Sequence, residues 1–182
     1  MKKLILLALL LAASVALPER QIRSYAALVP SPAPAIVRID SRLDQVVPPD
    51  AMLEKIADGF AWAEGPVWNQ KEEYLLFSDV PNNRIIKWKA GAGTSVSLQP
   101  SGYTGAQPFT GREPGSNGLT FDKEGRLVFC QHGDRRISRL EKDGTRTTLV
   151  DNYQGKRLNS PNDLISNRTV TCISPIHPLV CL

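Results

Sequence analysis

Apolar residues between Glu64 and Val150 come in short runs broken by turn residues. Tyr74-Leu75-Leu76-Phe77-Ser78-Asp79 is followed by Pro81-Asn82-Asn83. Arg84-Ile85-Ile86-Lys87-Trp88-Lys89 leads to Gly91-Ala92-Gly93, and Thr94 to Leu98 comes next. Runs of this length, with β-branched and aromatic residues between turn formers, predict strands. A second group repeats the order. Arg126 to Gln131 is followed by a turn at His132-Gly133-Asp134, then Arg135 to Leu140, a tight turn at Asp143-Gly144, and Thr145 to Val150. The groups match strand for strand. The extra length of the first falls in Pro100 to Pro114, a Gly/Pro/Ser-rich loop of the kind that often carries binding groups.

Each group opens on the same short phrase. Glu64-Gly65-Pro66-Val67-Trp68-Asn69 is the first copy, Asn117-Gly118-Leu119-Thr120-Phe121-Asp122 the second and Asn162-Asp163-Leu164-Ile165-Ser166-Asn167 the third. Each starts with an oxygen-bearing side chain and closes on Asn or Asp. A repeat of roughly 45 to 53 residues, one strand group per repeat, predicts an all-β chain built as a β-propeller. The innermost strand of each blade lines a central channel, so Glu64, Asn117 and Asn162 are expected to point into one space. Carboxylate and amide oxygens around a channel suit a hard cation, calcium above all and another divalent cation otherwise. An ordinary β-sandwich is the competing architecture; it leaves the fixed period and the recurring polar position unexplained.

The third copy begins correctly and then departs. Pro175 and Pro178 interrupt the stretch after Asn167, and no turn-strand rhythm returns. The pattern therefore predicts about two blades and the first strand of a third over residues 51–167, with an aberrant tail over 168–182. Residues 1–16 read as a secretory signal: Lys2 and Lys3, an apolar run from Leu4 to Ala13, and Ser14-Val15-Ala16 at the cleavage site. The apolar run is too short to span a bilayer. The mature chain is expected to be periplasmic or secreted, without a membrane anchor. Residues 17–50 form a leader kept extended by Pro30, Pro32, Pro34, Pro48 and Pro49, with a short strand expected at Ile36 to Ile39.

The formal charge of +4 falls to about +2 once Lys2 and Lys3 leave with the signal. Basic and acidic residues are interspersed, so no nucleic-acid footprint is expected. Of the three cysteines, Cys130 reads as a small core residue, whereas Cys172 and Cys181 are able to pair in an oxidising compartment. Trp62, Trp68, Trp88 and Phe77 read as blade core.

Five stretches together carry a resemblance. They are Ala57-Asp58-Gly59-Phe60 with Glu64-Gly65-Pro66-Val67-Trp68, Leu76 to Asn83, Ser116-Asn117-Gly118-Leu119-Thr120, Gln131-His132-Gly133-Asp134-Arg135-Arg136, and Lys156-Arg157-Leu158-Asn159-Ser160-Pro161-Asn162-Asp163. Their order resembles the senescence-marker-protein/gluconolactonase/luciferin-regenerating-enzyme family of calcium-dependent six-bladed propellers, and the bacterial gluconolactonases most. The resemblance implies that Glu64 and Asn162 are metal ligands, that Asn117 lies near the substrate, and that the substrate is a sugar lactone such as gluconolactone. Two further family ligands come from later blades.

Hydrolysis of a lactone needs a polarised carbonyl, an attacking water and a group to take its proton. His132, with an ordinary pKa of about 6.5, is the candidate base; a channel carboxylate is the other. Arg157 is a candidate substrate contact. Each residue also has a plainer reading. Glu64 could be a strand-end carboxylate, Asn117 a turn residue before Gly118, Asn162 an Asx-turn former, His132 a hairpin corner and Arg157 a solvated loop cation. The functional expectation is a calcium-dependent lactone hydrolase whose chain is incomplete and poorly active. The alternative is a non-catalytic propeller remnant that associates through open blade edges.

Overall fold

The computed structural model describes residues 36–166, 171–174 and 180–181. The expected signal lies outside these residues. The chain divides into two compact units, Met1–Glu54 and Lys55–Leu182.

In the first unit the described residues hold a short 3-10 turn, Ser41–Gln45, capped by the Asp40 carboxylate, which accepts from the Arg42 N–H at 2.8 Å. The strand expected at Ile36 to Ile39 does not form. Arg38 instead reaches Asp44 at 2.6 Å and the carbonyl of Val47 at 3.0 Å. Val37 and Ile39 remain exposed.

The second unit is built of antiparallel sheets. Strands β1 (Ala63–Asn69), β2 (Tyr74–Asp79), β3 (Arg84–Lys89) and β4 (Gly93–Leu98) form the first, in sequence order. Strands β5 (Leu119–Phe121), β6 (Leu127–Gln131), β7 (Arg136–Leu140) and β8 (Arg146–Val150) form the second, in the same order. The repetition extends to irregularities. The third and fourth strands slip register between Ile85 and Ile86 in one sheet and between Ile137 and Ser138 in the other. The turn before the third strand puts Asn83 (φ 52°) and Arg135 (φ 60°) in the left-handed region at matching places.

A two-stranded ribbon comes next, β9 (Asn152–Tyr153) with β10 (Lys156–Arg157). The third sheet goes further than its predicted first strand. After β11 (Asp163–Ser166), β12 (Thr171–Ser174) pairs with it, and β13 (Val180–Cys181) pairs with β12. Pairing therefore continues into the tail, with Pro175 and Pro178 lying between β12 and β13 rather than inside either. The backbone register sets Cys172 opposite Cys181.

The core sits between sheets and follows the two-residue period of a strand. Leu127 and Phe129 of β6 turn toward the first sheet and pack with Leu76, Ile85 and Leu119. Val128 and Cys130 turn the other way and pack with Ile137, Leu158 and Leu164. Strand β6 is thus buried on both faces along its whole length. Cys130 is fully buried and unpaired, as the apolar run predicted.

Two tryptophans depart from expectation. Phe77 is buried, but Trp62 and Trp68 are exposed by 46% and 45%. Val67 packs against the inter-sheet core, so its neighbour Trp68 must face the opposite side of β1. Trp88 is half-buried.

Candidate functional site

The first copy of the repeated phrase opens β1 through a bulge. Glu64 stands opposite Ser78, and regular pairing resumes only at Val67 with Leu76. Gly65 sits in the bulge at φ +57°, where a side chain is strained, and a Cβ there would run into the Asn117 carbonyl. The second copy approaches the third equally closely. The Gly118 N–H donates to the Asn162 carbonyl at 2.7 Å. A Cβ on Gly118 would lie 2.6 Å from Asp163 Oδ1 and 2.8 Å from Asp163 Cα. Glycine at these two positions is what lets three inner strands meet backbone to backbone.

That approach gathers Glu64, Asn117 and Asn162 on the walls of one pocket of about 290 Å³. Asn117 is 3% exposed. Its backbone is fixed on both sides: its N–H donates to Cys130 and its carbonyl accepts from Ser78 Oγ at 2.7 Å. Ser78 in turn meets Ser116 Oγ at 2.7 Å. Glu64 and Asn162 are half-buried.

Asp163 lines the same pocket and was not among the predicted site residues. Its signal in the sequence is the substitution of Asp for Gly at the second place of the third copy. The Leu164 N–H donates to its Oδ1 at 2.8 Å.

His132 lies outside the pocket wall. Its side chain is 11% exposed, Nε2 is 3.5 Å from Glu113 Oε2, and Nδ1 is buried with no partner among the described residues. Burial pushes the imidazole below its ordinary value of 6.5 and outweighs the opposite pull of the Glu113 and Glu64 charges. Glu64 is therefore close enough for its charge to bear on His132. Arg157, in β10, is exposed and donates to the Asp134 carbonyl at 2.8 Å, away from the pocket wall.

Residues 62–169 match the SMP-30/gluconolactonase/LRE-like region, which is more than half of the chain. The chain belongs to this family. Within the SMP-30/gluconolactonase/LRE-like family, a gluconolactonase of Zymomonas mobilis is 41% identical over 138 residues, covering 74% of this chain and 38% of the relative. The solved structure of a gluconolactonase from Xanthomonas campestris superposes with a TM-score of 0.62 at 34% identity, covering 75% of this chain and 42% of that one. A structural-genomics target described as a candidate gluconolactonase superposes at 0.59 and 32% identity, covering 72% and 43%. The repeated sheets are accordingly propeller blades, and the chain spans about two fifths of the length of the relatives it matches.

The pocket's donors suit a hard cation: one carboxylate, two carboxamides and, at the rim, a second carboxylate. Among the described residues no three His, Cys, Asp or Glu side chains gather to hold a metal. Glu64, Asn117 and Asn162 supply fewer oxygens than the about six to eight that calcium takes, so water or substrate oxygens would complete the shell.

Proposed function

We propose that this chain serves the hydrolysis of a sugar lactone of the gluconolactone type, with calcium or another divalent cation held by Glu64 and Asn162. The observation that carries this reading is the convergence of Glu64, Asn117 and Asn162 on one polar pocket. Kinship with gluconolactonases supports the substrate class.

A bound cation would supply a Lewis acid for the lactone carbonyl oxygen. Glu64 brings the pocket one negative charge, and Asn162 an oxygen donor without charge. Such a set neutralises less of a divalent ion than carboxylates alone would. Asn117, buried on the pocket wall, carries both a donor and an acceptor to offer a polyhydroxylated ring. His132, kept neutral by burial but outside the pocket wall, takes the proton of the attacking water only if the chain moves to bring the two together. Arg157, held at the Asp134 carbonyl, contacts substrate only if the ribbon moves toward the pocket. We also propose export to the periplasm or medium, on the basic and apolar pattern of residues 1–16; N-terminal sequencing of the mature protein would begin after Ala16.

Calorimetric titration with calcium and a pH-stat assay with gluconolactone test the catalytic reading. Calcium binding in the wild type, with the weak calcium-stimulated hydrolysis of a poorly active chain and the loss of both in Glu64→Gln, is expected. Absence of both would overturn it.

A second reading, a non-catalytic interaction module, is favoured by an apolar groove of about 230 Å³ lined by Ile56, Phe60, Leu75 and Phe77. A concentration-dependent mass in sedimentation, together with no hydrolysis, would support it.

A further inference from the structure

A sheet face that packs on another sheet carries apolar residues at alternate positions of each strand. On the second sheet, the face turned to the first holds Phe121 of β5, Leu127 and Phe129 of β6, and Leu140 of β7. All four pack into the inter-sheet core. The repeat puts Trp68 of β1, Leu75 and Phe77 of β2, and Trp88 of β3 at the same four places of the first sheet. The register agrees. Leu75 stands opposite both Trp68 and Trp88, as Leu127 stands opposite Phe121, and directly opposed residues share a face. The first sheet therefore repeats, on its side away from the second, a face that the second sheet buries against a neighbour.

That face is only partly covered. Phe60 meets Phe77 edge-on, ring centroids 4.8 Å apart. Beside them runs the apolar groove of about 230 Å³ lined by Ile56, Phe60, Leu75 and Phe77. Trp68 is left 45% exposed. The third sheet offers the complement. Leu164 packs on the second sheet, so Ile165 faces the other way, and it is 65% exposed. Its place in the repeat is that of Val67, which in the first sheet packs into the core shared with the second. Ile165 thus marks the side of a sheet that, elsewhere in this chain, meets the next sheet.

We propose that a second copy of this chain covers the open face of the first sheet: the third sheet of one copy lies on the first sheet of the other, burying Ile165 against the face of Trp68, Leu75 and Phe77. The packing of the second sheet on the first is the template for the contact, and one chain carries both of its halves. Two copies related by a two-fold axis make the contact twice and close. This goes beyond the lactone-hydrolase reading; it rests on the interaction-module reading and names the partner for its groove.

Sedimentation velocity of the full chain over about two decades of micromolar concentration tests this. The wild type should pass from one copy to two. Trp68→Glu and Ile165→Glu, both at exposed positions outside the pocket wall, should each raise the dissociation constant by about tenfold or more. An equimolar mixture of the two variants should associate more tightly than either alone, because a mixed pair keeps one contact with both faces intact. Circular dichroism checks that each variant is folded, and Trp68→Ala and Ile165→Ala replace any that is not. A chain that stays single at every concentration would overturn the proposal and leave the face to a different polypeptide. Association abolished by Trp68→Glu but untouched by Ile165→Glu would overturn it too, since the first sheets would then meet each other; the interaction-module reading would survive. Calcium-stimulated hydrolysis by the same samples reports on the lactone reading separately.

Discussion

The Gly118 N–H donates to the Asn162 carbonyl at 2.7 Å, joining the inner strands of the second and third sheets at the pocket. The Cβ that glycine lacks would stand against Asp163. Gly118→Ala should therefore force these strands apart, costing about 1–3 kcal/mol of stability. Calcium affinity should weaken in parallel. Thermal melts and calcium titration of the same sample check both effects.

Glu64 is the carboxylate shared by all readings of the pocket, and it is half-buried rather than structural core. Glu64→Gln keeps the shape and removes the charge. Calcium affinity should fall by about tenfold or more, because ligand charge sets the affinity of an oxygen site. The melting temperature without calcium should stay close to that of the wild type.

Asp79 is fully buried at the end of β2. Burial works to raise its carboxyl. Hydrogen bonds from Asn82, Arg84 and the Trp62 and Ala61 N–H groups outweigh this and hold it below 3.8. A depressed carboxyl contributes stability above its unfolded value and loses it as pH falls through the folded value. Asp79→Asn should cost about 2–4 kcal/mol at neutral pH. The gap between variant and wild type should narrow only below about pH 3.8, as urea melts across that range would register.

His132 has the opposite chemistry. Its folded value lies below 6.5, so the unfolded chain binds the proton more readily. Stability should therefore decline as pH drops through about 6.5 and beneath it. His132→Gln should flatten this slope, and a variant as steep as the wild type would count against burial as its cause.

Much of the fold was legible along the chain, because strands declare themselves by period and by turns. The runs expected at Tyr74 to Asp79, Arg84 to Lys89 and Arg135 to Leu140 became strands with bounds within a residue of those expected. Where a run has no paired neighbour among the described residues, as at Ile36 to Ile39, no strand formed. Trp68 shows a different gap. An aromatic residue in a strand marks a side chain that wants burial, but which face of β1 has a partner depends on the second sheet. The tail shows a third. Proline bars a residue from a ladder, yet pairing forms on either side of the two prolines.

The site divides in the same manner. Glu64, Asn117 and Asn162 were marked by repetition, and the pocket unites them. Asp163 was hidden because it breaks the repeat it belongs to.

Local order therefore resides in the chain itself: the strand runs, their turns, the glycines, and the kinds of oxygen donor at each repeat. These arise from backbone sterics and from hydrophobic period, which act over a few residues. Only the packed structure decided which donors share a pocket, which tryptophans stay in water and which carboxylate stands beside His132. Those outcomes depend on contacts between residues far apart in sequence, formed when one sheet buries its face on the next.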